Sequence, residues 1–425
     1  MIMGIREVPN QRKSHIRQCL LGTLIFAAGN IQAQVHPVEV PQRGQPLSSP
    51  RSAAVDAGDY VYLSGQGAQR RDHSMPDKFE EQASQALENI KTIVEAAGLN
   101  MEHIVYVQVY LEDLGNYEKL NDVFAKYFPG TPPARAVLGV YRLSPSSIAI
   151  NAVAVRDLTG RKAVIPPHYK SAEPFSPGIL THDRLFVSAI EGRDPLANTV
   201  PDDAAVQVDL ALDGLQAVVE AAGLKLSHMV FVNPYLTQKI PMRLMNERYA
   251  RRFEFGNTPA RATIEVTALP HHAQIEYTGV AVRDLSLRRA VRPKNMPPSP
   301  TASPCVFAGE TLYCSAKSGF IPGPNGGVYG ATTAVQLRQT MRNQLDNLEE
   351  ASLDFSQVVS TTVYLDNLSE SEAFNKVYAQ YFKAALPAQT MVQQLPSSNR
   401  PPDAEGHFPD LEQMSLIAVK RAPKN

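Results

Sequence analysis

An α+β architecture, one mixed sheet covered by two helices and repeated three times in tandem, is what this sequence predicts. Three observations carry that prediction. Short segments recur at long, nearly constant intervals; each copy orders its elements as ββαβαββ; and the Gly-rich strand-to-helix turns of the parallel α/β folds are missing. The recurrence is legible residue by residue. IVEAAGL ends at Leu99, VVEAAGL at Leu224 and LEEASL at Leu353, while NDVFAKYF, NERYARRF and NKVYAQYF begin at Asn121, Asn246 and Asn375. A period of roughly 125 residues far exceeds the 20 to 50 of solenoid repeats, so each copy is a whole domain. The expected bounds are 45–158, 170–285 and 298–422, with Pro-rich joints after Lys162 and after Arg292.

The elements follow in order in the first copy. Residues 52–57 and 60–66 form a hairpin around Gly58-Asp59. Between 77 and 97, apolar residues recur at three- and four-residue steps (Ala83, Ala86, Leu87, Ile90, Ile93, Val94), the signature of an amphipathic helix, and Gly98 ends it. A β-rich run spans Ile104–Leu111, Asn116 caps a second helix ending at Phe128, and 134–143 and Ile148–Val155 close the copy as strands. In the run 105–110, valines alternate with Tyr106, Gln108 and Tyr110, leaving the second sheet face half apolar. Three such faces in one chain can pack on one another around a pseudo-threefold axis, giving a compact monomer.

Composition excludes several functions. Lys and Arg number 41 against 42 Asp and Glu, a formal net charge of -1, so no strongly basic surface awaits nucleic acid. At the N-terminus, Arg12, Lys13 and Arg17 precede an apolar run over 19–28, too short to cross a bilayer, and Ala33 offers a small residue for cleavage. This is the layout of a signal peptide over residues 1–33, although an N-terminal extension or short anchor would share it. The expected location is periplasmic or secreted, with no membrane association after cleavage. Two cysteines then remain, Cys305 and Cys314. The run PCVFAGETLYCSA reads as a type II′ hairpin with Gly309-Glu310 at its tip, a register that sets Cys305 opposite Cys314. A disulfide is feasible there; two buried thiols are the other reading. No metal or cofactor is expected. His271 and His272 are adjacent in a turn, which does not suit metal ligation, and 323–327 (GPNGG) lacks the strand-to-helix junction of a phosphate loop.

The order SGQ at 64–66, QALENIKTIVEAAGL, YLEDL, N-x-x-F-x-x-Y-F, P-A-R and a final AVAVR strand, met in three copies, resembles the Rid (YjgF, or liver perchloric-acid-soluble protein) family. The resemblance implies a chorismate-mutase-like fold, a homotrimer fused into one polypeptide, ligand clefts between subunits, and hydrolysis of reactive enamines and imines to 2-oxo acids and ammonia. It also implies a carboxylate-binding Arg at Arg135 and Arg261, with Gln389 in the third copy. A pocket Asn falls at Asn121, Asn246 and Asn375, and the Ser-Gly strand end at Ser64-Gly65, with Ser188 and Ser315 followed by Ala in the other copies. The water-orienting Glu of deaminating members falls on Asn151, Thr278 and Ser415, so no copy keeps that carboxylate. Glu276, two residues before Thr278 and on the same strand face, is a candidate substitute.

Each assignment has a plainer counterpart. The arginines suit planar carboxylate recognition or an interdomain salt bridge; the asparagines suit a ligand or a helix cap; Ser64 suits a ligand or the backbone. Two functions follow. One is a secreted Rid-type enamine/imine hydrolase working on small carboxylates in Arg-gripped clefts, with a degenerate third site at Gln389, Asn375 and Ser315. The other is a non-catalytic small-carboxylate binder or a purely structural pseudo-trimer.

Overall fold

The computed structural model describes residues 36–40, 51–167, 169, 173–323, 327–382, 385–396 and 408–420. The expected leader over 1–33 and the interior of the 323–327 turn lie outside them. The first unit contributes strands β1 (His36–Pro37), β2 (Ala54–Asp56), β3 (Tyr60–Gln66), β4 (Ile104–Leu111), β5 (Ala134–Gly139) and β6 (Ile148–Val155), in the spatial order β1-β2-β3-β6-β4-β5. β4 and β5 run parallel, while β6 is antiparallel to both β3 and β4. Each parallel relation needs a crossover, and the two helices supply them: α1 (Phe79–Ala96) between β3 and β4, α2 (Tyr117–Tyr127) between β4 and β5. The second and third units repeat the plan with α3 (Ala204–Ala221), α4 (Met242–Ala250), α5 (Thr333–Glu350) and α6 (Ser371–Tyr378).

The apolar periodicity of the long helices becomes one buried stripe. Ala83, Ala86, Leu87, Ile90, Ile93 and Val94 of α1 press on Ile148, Ile150 and Ala152 of β6 and on Val107 and Val109 of β4, and equivalent cores fill the other two units. Each fully buried Leu or Ile contributes about 1.5–3 kcal/mol. Gly98 takes φ 74°, which lets the chain leave α1 where a side chain would strain.

Three local expectations are corrected. Asn116 stands at the N-cap of α2, but its side chain makes no capping bond. A single 3₁₀ turn, Leu114–Asn116, runs into the helix and is capped by Asp113, which accepts from the Gly115 N–H at 2.9 Å. The strand expected over 134–143 ends at Gly139, because there the backbone turns to bond the second unit: Gly139 N–H donates to Ala268 O at 2.9 Å. Finally, the stretches between the units are not all joint. Lys162–Val164 pairs with Gly178–Leu180, and Arg288–Val291 with Cys305–Ala308, each adding to the following unit the outer strand that β1 adds to the first.

The opposite face of every sheet is buried against the other two units. Tyr62 and Val105 of the first, Ile179 and Phe186 of the second, and Val359 and Ala388 of the third share one apolar cluster. Tyr110, Tyr235 and Tyr364, one from each unit, share another. Arg184 of the second unit ties all three together: its guanidinium donates to Tyr313 Oη at 2.9 Å and Thr311 Oγ1 at 2.8 Å in the third, and lies 4.4 Å from the Tyr60 ring of the first.

The hairpin of the third unit pairs Cys305 with Cys314, Val306 with Tyr313, Phe307 with Leu312 and Ala308 with Thr311. Gly309 sits at φ 58°, as the first position of a type II′ turn requires. Cys305 and Cys314 are joined by a disulfide, with Cα atoms 4.0 Å apart.

Candidate clefts between the units

β5 is an edge strand, and in each unit its equivalent lies beside the β3-equivalent of the next unit. One serine per junction clasps them. Ser188 Oγ donates to Ser176 O at 2.6 Å and accepts from Arg135 N–H at 2.8 Å. Ser315 Oγ donates to Ser303 O at 2.6 Å and accepts from Arg261 N–H at 2.8 Å. Ser64 Oγ donates to Ser52 O at 2.5 Å and accepts from Gln389 N–H at 2.8 Å, closing the ring from the third unit to the first. The serines of the SG and SA strand ends are therefore interdomain fasteners that fix the backbone of the very residues expected to bind ligand. Gly65, beside Ser64, admits the Thr390 side chain of the third unit: a Cβ there would lie 3.1 Å from Thr390 Cγ2.

The three clefts differ in what each clasp positions. At the first junction the Arg135 guanidinium is buried at 2% exposure. Its NH2 donates to Asn121 Oδ1 at 2.7 Å and to Tyr117 Oη at 3.3 Å, and the rings of Phe124 and Phe175 lie 4.7 and 5.0 Å away. NH1 is buried with no hydrogen-bond partner. Burial holds this guanidinium below its usual pKa, opposed by Tyr117 and Glu173. Beyond Phe175 opens a cavity of about 490 Å³ lined by Glu173, Glu191, Ile190, Arg193 and His271, among others. His271 is clamped there, Nε2 2.8 Å from Glu173 and Nδ1 2.8 Å from Glu191, while Glu173 accepts from Tyr117 Oη at 2.8 Å. Hydrogen bonds donated to Glu173 and then to Glu191 push the His271 pKa up to about 9. Burial works against the Glu173 carboxylate, yet the bonds from His271 and Tyr117 hold it below its ordinary value.

The second junction is open. Arg261 lines a cleft of about 530 Å³ together with Thr263, Ser315, Lys317, Gln413 and a proline-rich wall that includes Pro298 and Pro304. Its NH1 donates to Asn246 Oδ1 at 2.8 Å, and its guanidinium lies 5.1 Å from the Tyr249 ring. At the third junction Gln389 is buried beside Tyr378, and Asn375 Oδ1 finds no hydrogen-bond partner. The contrast explains the recurring Asn. Asn121, Asn246 and Asn375 lie inside α2, α4 and α6, so none is a helix cap, and the first two hold the guanidinium by their side-chain oxygen. With Gln389 in place of Arg, the third Asn is left without its donor.

Asn151, Thr278 and Ser415 face neither arginine. They line a central cavity of about 110 Å³ together with residues of all three units, Gln108, Asn233 and Thr362 among them. Asn151 donates to Thr390 Oγ1 at 2.8 Å, and Thr278 accepts from Asn233 at 3.2 Å. Glu276 is fully buried with both oxygens unpartnered, and burial drives its pKa well above the ordinary carboxylate range, which works against the charged form that would accept a proton. Among the described residues, no group of three or more His, Cys, Asp or Glu is arranged to hold a metal ion. Sequence reasoning did not find the Glu173–His271–Glu191 chain. Its signal was hidden because His271 and His272 both adopt positive φ, 55° and 63°, which aims the first ring into the junction.

A family model described as Endoribonuclease L-PSP matches three times, over residues 45–156, 167–283 and 295–398. A RutC family protein of Pyrococcus horikoshii is 36% identical over 108 residues, 25% of this chain and 85% of that protein. A 2-iminobutanoate/2-iminopropanoate deaminase of Dermatophagoides farinae is 36% identical over 108 residues, 25% of this chain and 84% of its own length. Among solved structures, E. coli TdcF with bound serine is 33% identical, covers 29% of this chain and 99% of its own, and has a TM-score of 0.28.

Proposed function

Because the chain belongs to the Endoribonuclease L-PSP family, the Rid proteins, as three fused copies, we propose that it binds small carboxylate-bearing imines and their 2-oxo acid products at the junction of the second and third units. One observation carries this reading: Arg261 lines an open cleft that, among the described residues, no carboxylate lines. A guanidinium held by Asn246 offers its remaining N–H groups to a planar carboxylate through charge-assisted hydrogen bonds. With the carboxylate fixed, water entering the open cleft attacks the imine carbon, the C=N bond is replaced by C=O, and ammonia leaves. Among the described residues no carboxylate lines this cleft, so orientation and polarisation supply the acceleration.

The first junction is the weaker candidate, since Phe175 and Tyr117 cover Arg135, and the third has no guanidinium. Support for the hydrolytic step comes from the deaminase relative. Support for binding without turnover comes from the neutral residues at 151, 278 and 415. A ribonuclease reading has less behind it, given the formal net charge of -1. The closed ring of clasps supports a monomer that does the work of a trimer. The N-terminal apolar run and the Cys305–Cys314 disulfide support export to an oxidising compartment.

The test is ammonia release from enzymatically generated imino acids, run beside calorimetric titration with 2-oxobutanoate, on the wild type and on Arg261→Met and Arg135→Met. Loss of binding in Arg261→Met with retention in Arg135→Met is expected. Titration unaffected by Arg261→Met refutes the site, and binding without ammonia release makes the protein a binder rather than a hydrolase.

A further inference from the structure

Two residues beyond each clasping serine, the strand carries a different residue at each junction: Gln66 beyond the serine that meets Gln389, Ile190 beyond the one that meets Arg135, and Lys317 beyond the one that meets Arg261. Two residues along a strand is a step of about 7 Å, and a register shift falls at this step in all three strands. A bulge between Cys314 and Lys317 adjusts that step locally. Lys317 lines the same cleft as Arg261, and among the described residues the cleft lining includes no Asp or Glu.

We propose that this cleft selects ligands carrying two negative charges, Arg261 taking one carboxylate and Lys317 the other, so that its substrate class is the small 2-imino and 2-oxo dicarboxylates. The inference rests on the carboxylate reading of Arg261 given above.

Three observations support it. Lys317 makes no ion pair and no side-chain hydrogen bond with any described residue, whereas other partly buried cations near the junctions, Arg193 and Arg252, are paired with carboxylates. Burial alone holds the Lys317 ammonium below its usual pKa, the mark of a cation taken out of water without a counter-charge. A bound anion would restore what burial removes. Beside the two cations, the Thr263 hydroxyl is buried with no hydrogen-bond partner, so the lining holds polar capacity that the protein itself does not use. The first junction offers the opposite character at the corresponding place, with Ile190 in a cavity that Glu173 and Glu191 also line. There Glu173 and Glu191 already pair with His271 and Arg193, so a second negative charge meets cations that are taken, whereas at the second junction it meets Lys317.

The experiment is calorimetric titration of the full chain with 2-oxopentanoate and with 2-oxopentanedioate, two ligands of equal length that differ by one carboxylate. A charge-assisted contact in a partly desolvated cleft is worth about tenfold to a hundredfold in affinity, so the dicarboxylate should bind tighter by about that factor. The preference should shrink as salt is raised. Lys317→Met should bring the dicarboxylate down to the level of the monocarboxylate, and Lys317→Arg should retain most of the preference, which excludes misfolding as the cause. Arg261→Met should weaken both ligands. Equal affinities in the wild type, or a preference that survives Lys317→Met, would overturn the role of Lys317 while leaving the Arg261 site standing. Failure of both ligands to bind the wild type would overturn the carboxylate reading and this inference together.

Discussion

Replacing Ser188 by Ala removes one oxygen and leaves two backbone groups stranded. The hydroxyl is fully buried, donating to Ser176 O at 2.6 Å and accepting from Arg135 N–H at 2.8 Å. Both partners are themselves buried, Arg135 at 2% and Ser176 at 4% exposure, so solvent cannot take the place of the lost oxygen. An unsatisfied buried donor or acceptor costs about 1–3 kcal/mol, and two of them set the expected loss for Ser188→Ala at about 2–6 kcal/mol. Equilibrium denaturation in guanidinium chloride measures it as a lowered midpoint at unchanged m-value. Ser64→Ala and Ser315→Ala break the same arrangement at the other junctions and should show losses of the same size. Pairs of these variants should be additive, because the three clasps share no partner. A loss below about 0.5 kcal/mol in Ser188→Ala would refute the argument: the junction would then be held by its apolar contacts alone.

Further outcomes follow from other parts of the molecule. His271 has a folded pKa raised to about 9 by Glu173 and Glu191, against about 6.5 when unfolded. Its stabilisation is fully present below pH 6.5 and is lost as pH rises through 9. After allowance for screening at this half-buried site it should amount to about 1–2 kcal/mol, read as the part of the pH 6–10 stability profile that His271→Gln abolishes. Reduction of Cys305–Cys314, or Cys305→Ser/Cys314→Ser, should cost at most about 2.5 kcal/mol because the closed loop is short. Calorimetry on oxidised and reduced protein checks this, and two alkylated cysteines in freshly prepared, unreduced protein would contradict the bridge. Arg184→Met strands Thr311 and Tyr313 and removes the cation over Tyr60, so it should destabilise the chain by about 3 kcal/mol or more in the same denaturation assay.

Much of this arrangement was legible in the sequence, and the reasons are local. Strands such as Ile104–Leu111 and Ile148–Val155 announce both ends, because the alternation of side chains is strict and the flanking turns are polar. The Cys305–Cys314 register followed from counting back from one glycine, since a two-residue turn leaves no freedom of pairing. The outer strands Lys162–Val164 and Arg288–Val291 stayed hidden because three or four residues beside prolines carry no period; pairing with the next unit, not propensity, makes them strands. In the clefts, family resemblance found Arg135, Arg261 and the asparagines, but only packing separates a guanidinium capped by Phe175 from one that opens on a cleft. The Asn role as holder of the Arg was invisible in one dimension, as was the lack of a partner for Lys317 among the described residues.

The ring of clasps runs through one covalent chain, and that changes what dilution does. A trimer of separate subunits loses its inter-subunit clefts when its concentration falls below the dissociation constant, since its apparent stability depends on mass action. Here the segments between units keep the neighbouring strands at a fixed effective concentration however few molecules are present. Arg261 and Lys317, drawn from two different units, therefore meet in the same cleft at nanomolar protein as at millimolar. At high dilution, that independence decides whether a site shared between units persists at all.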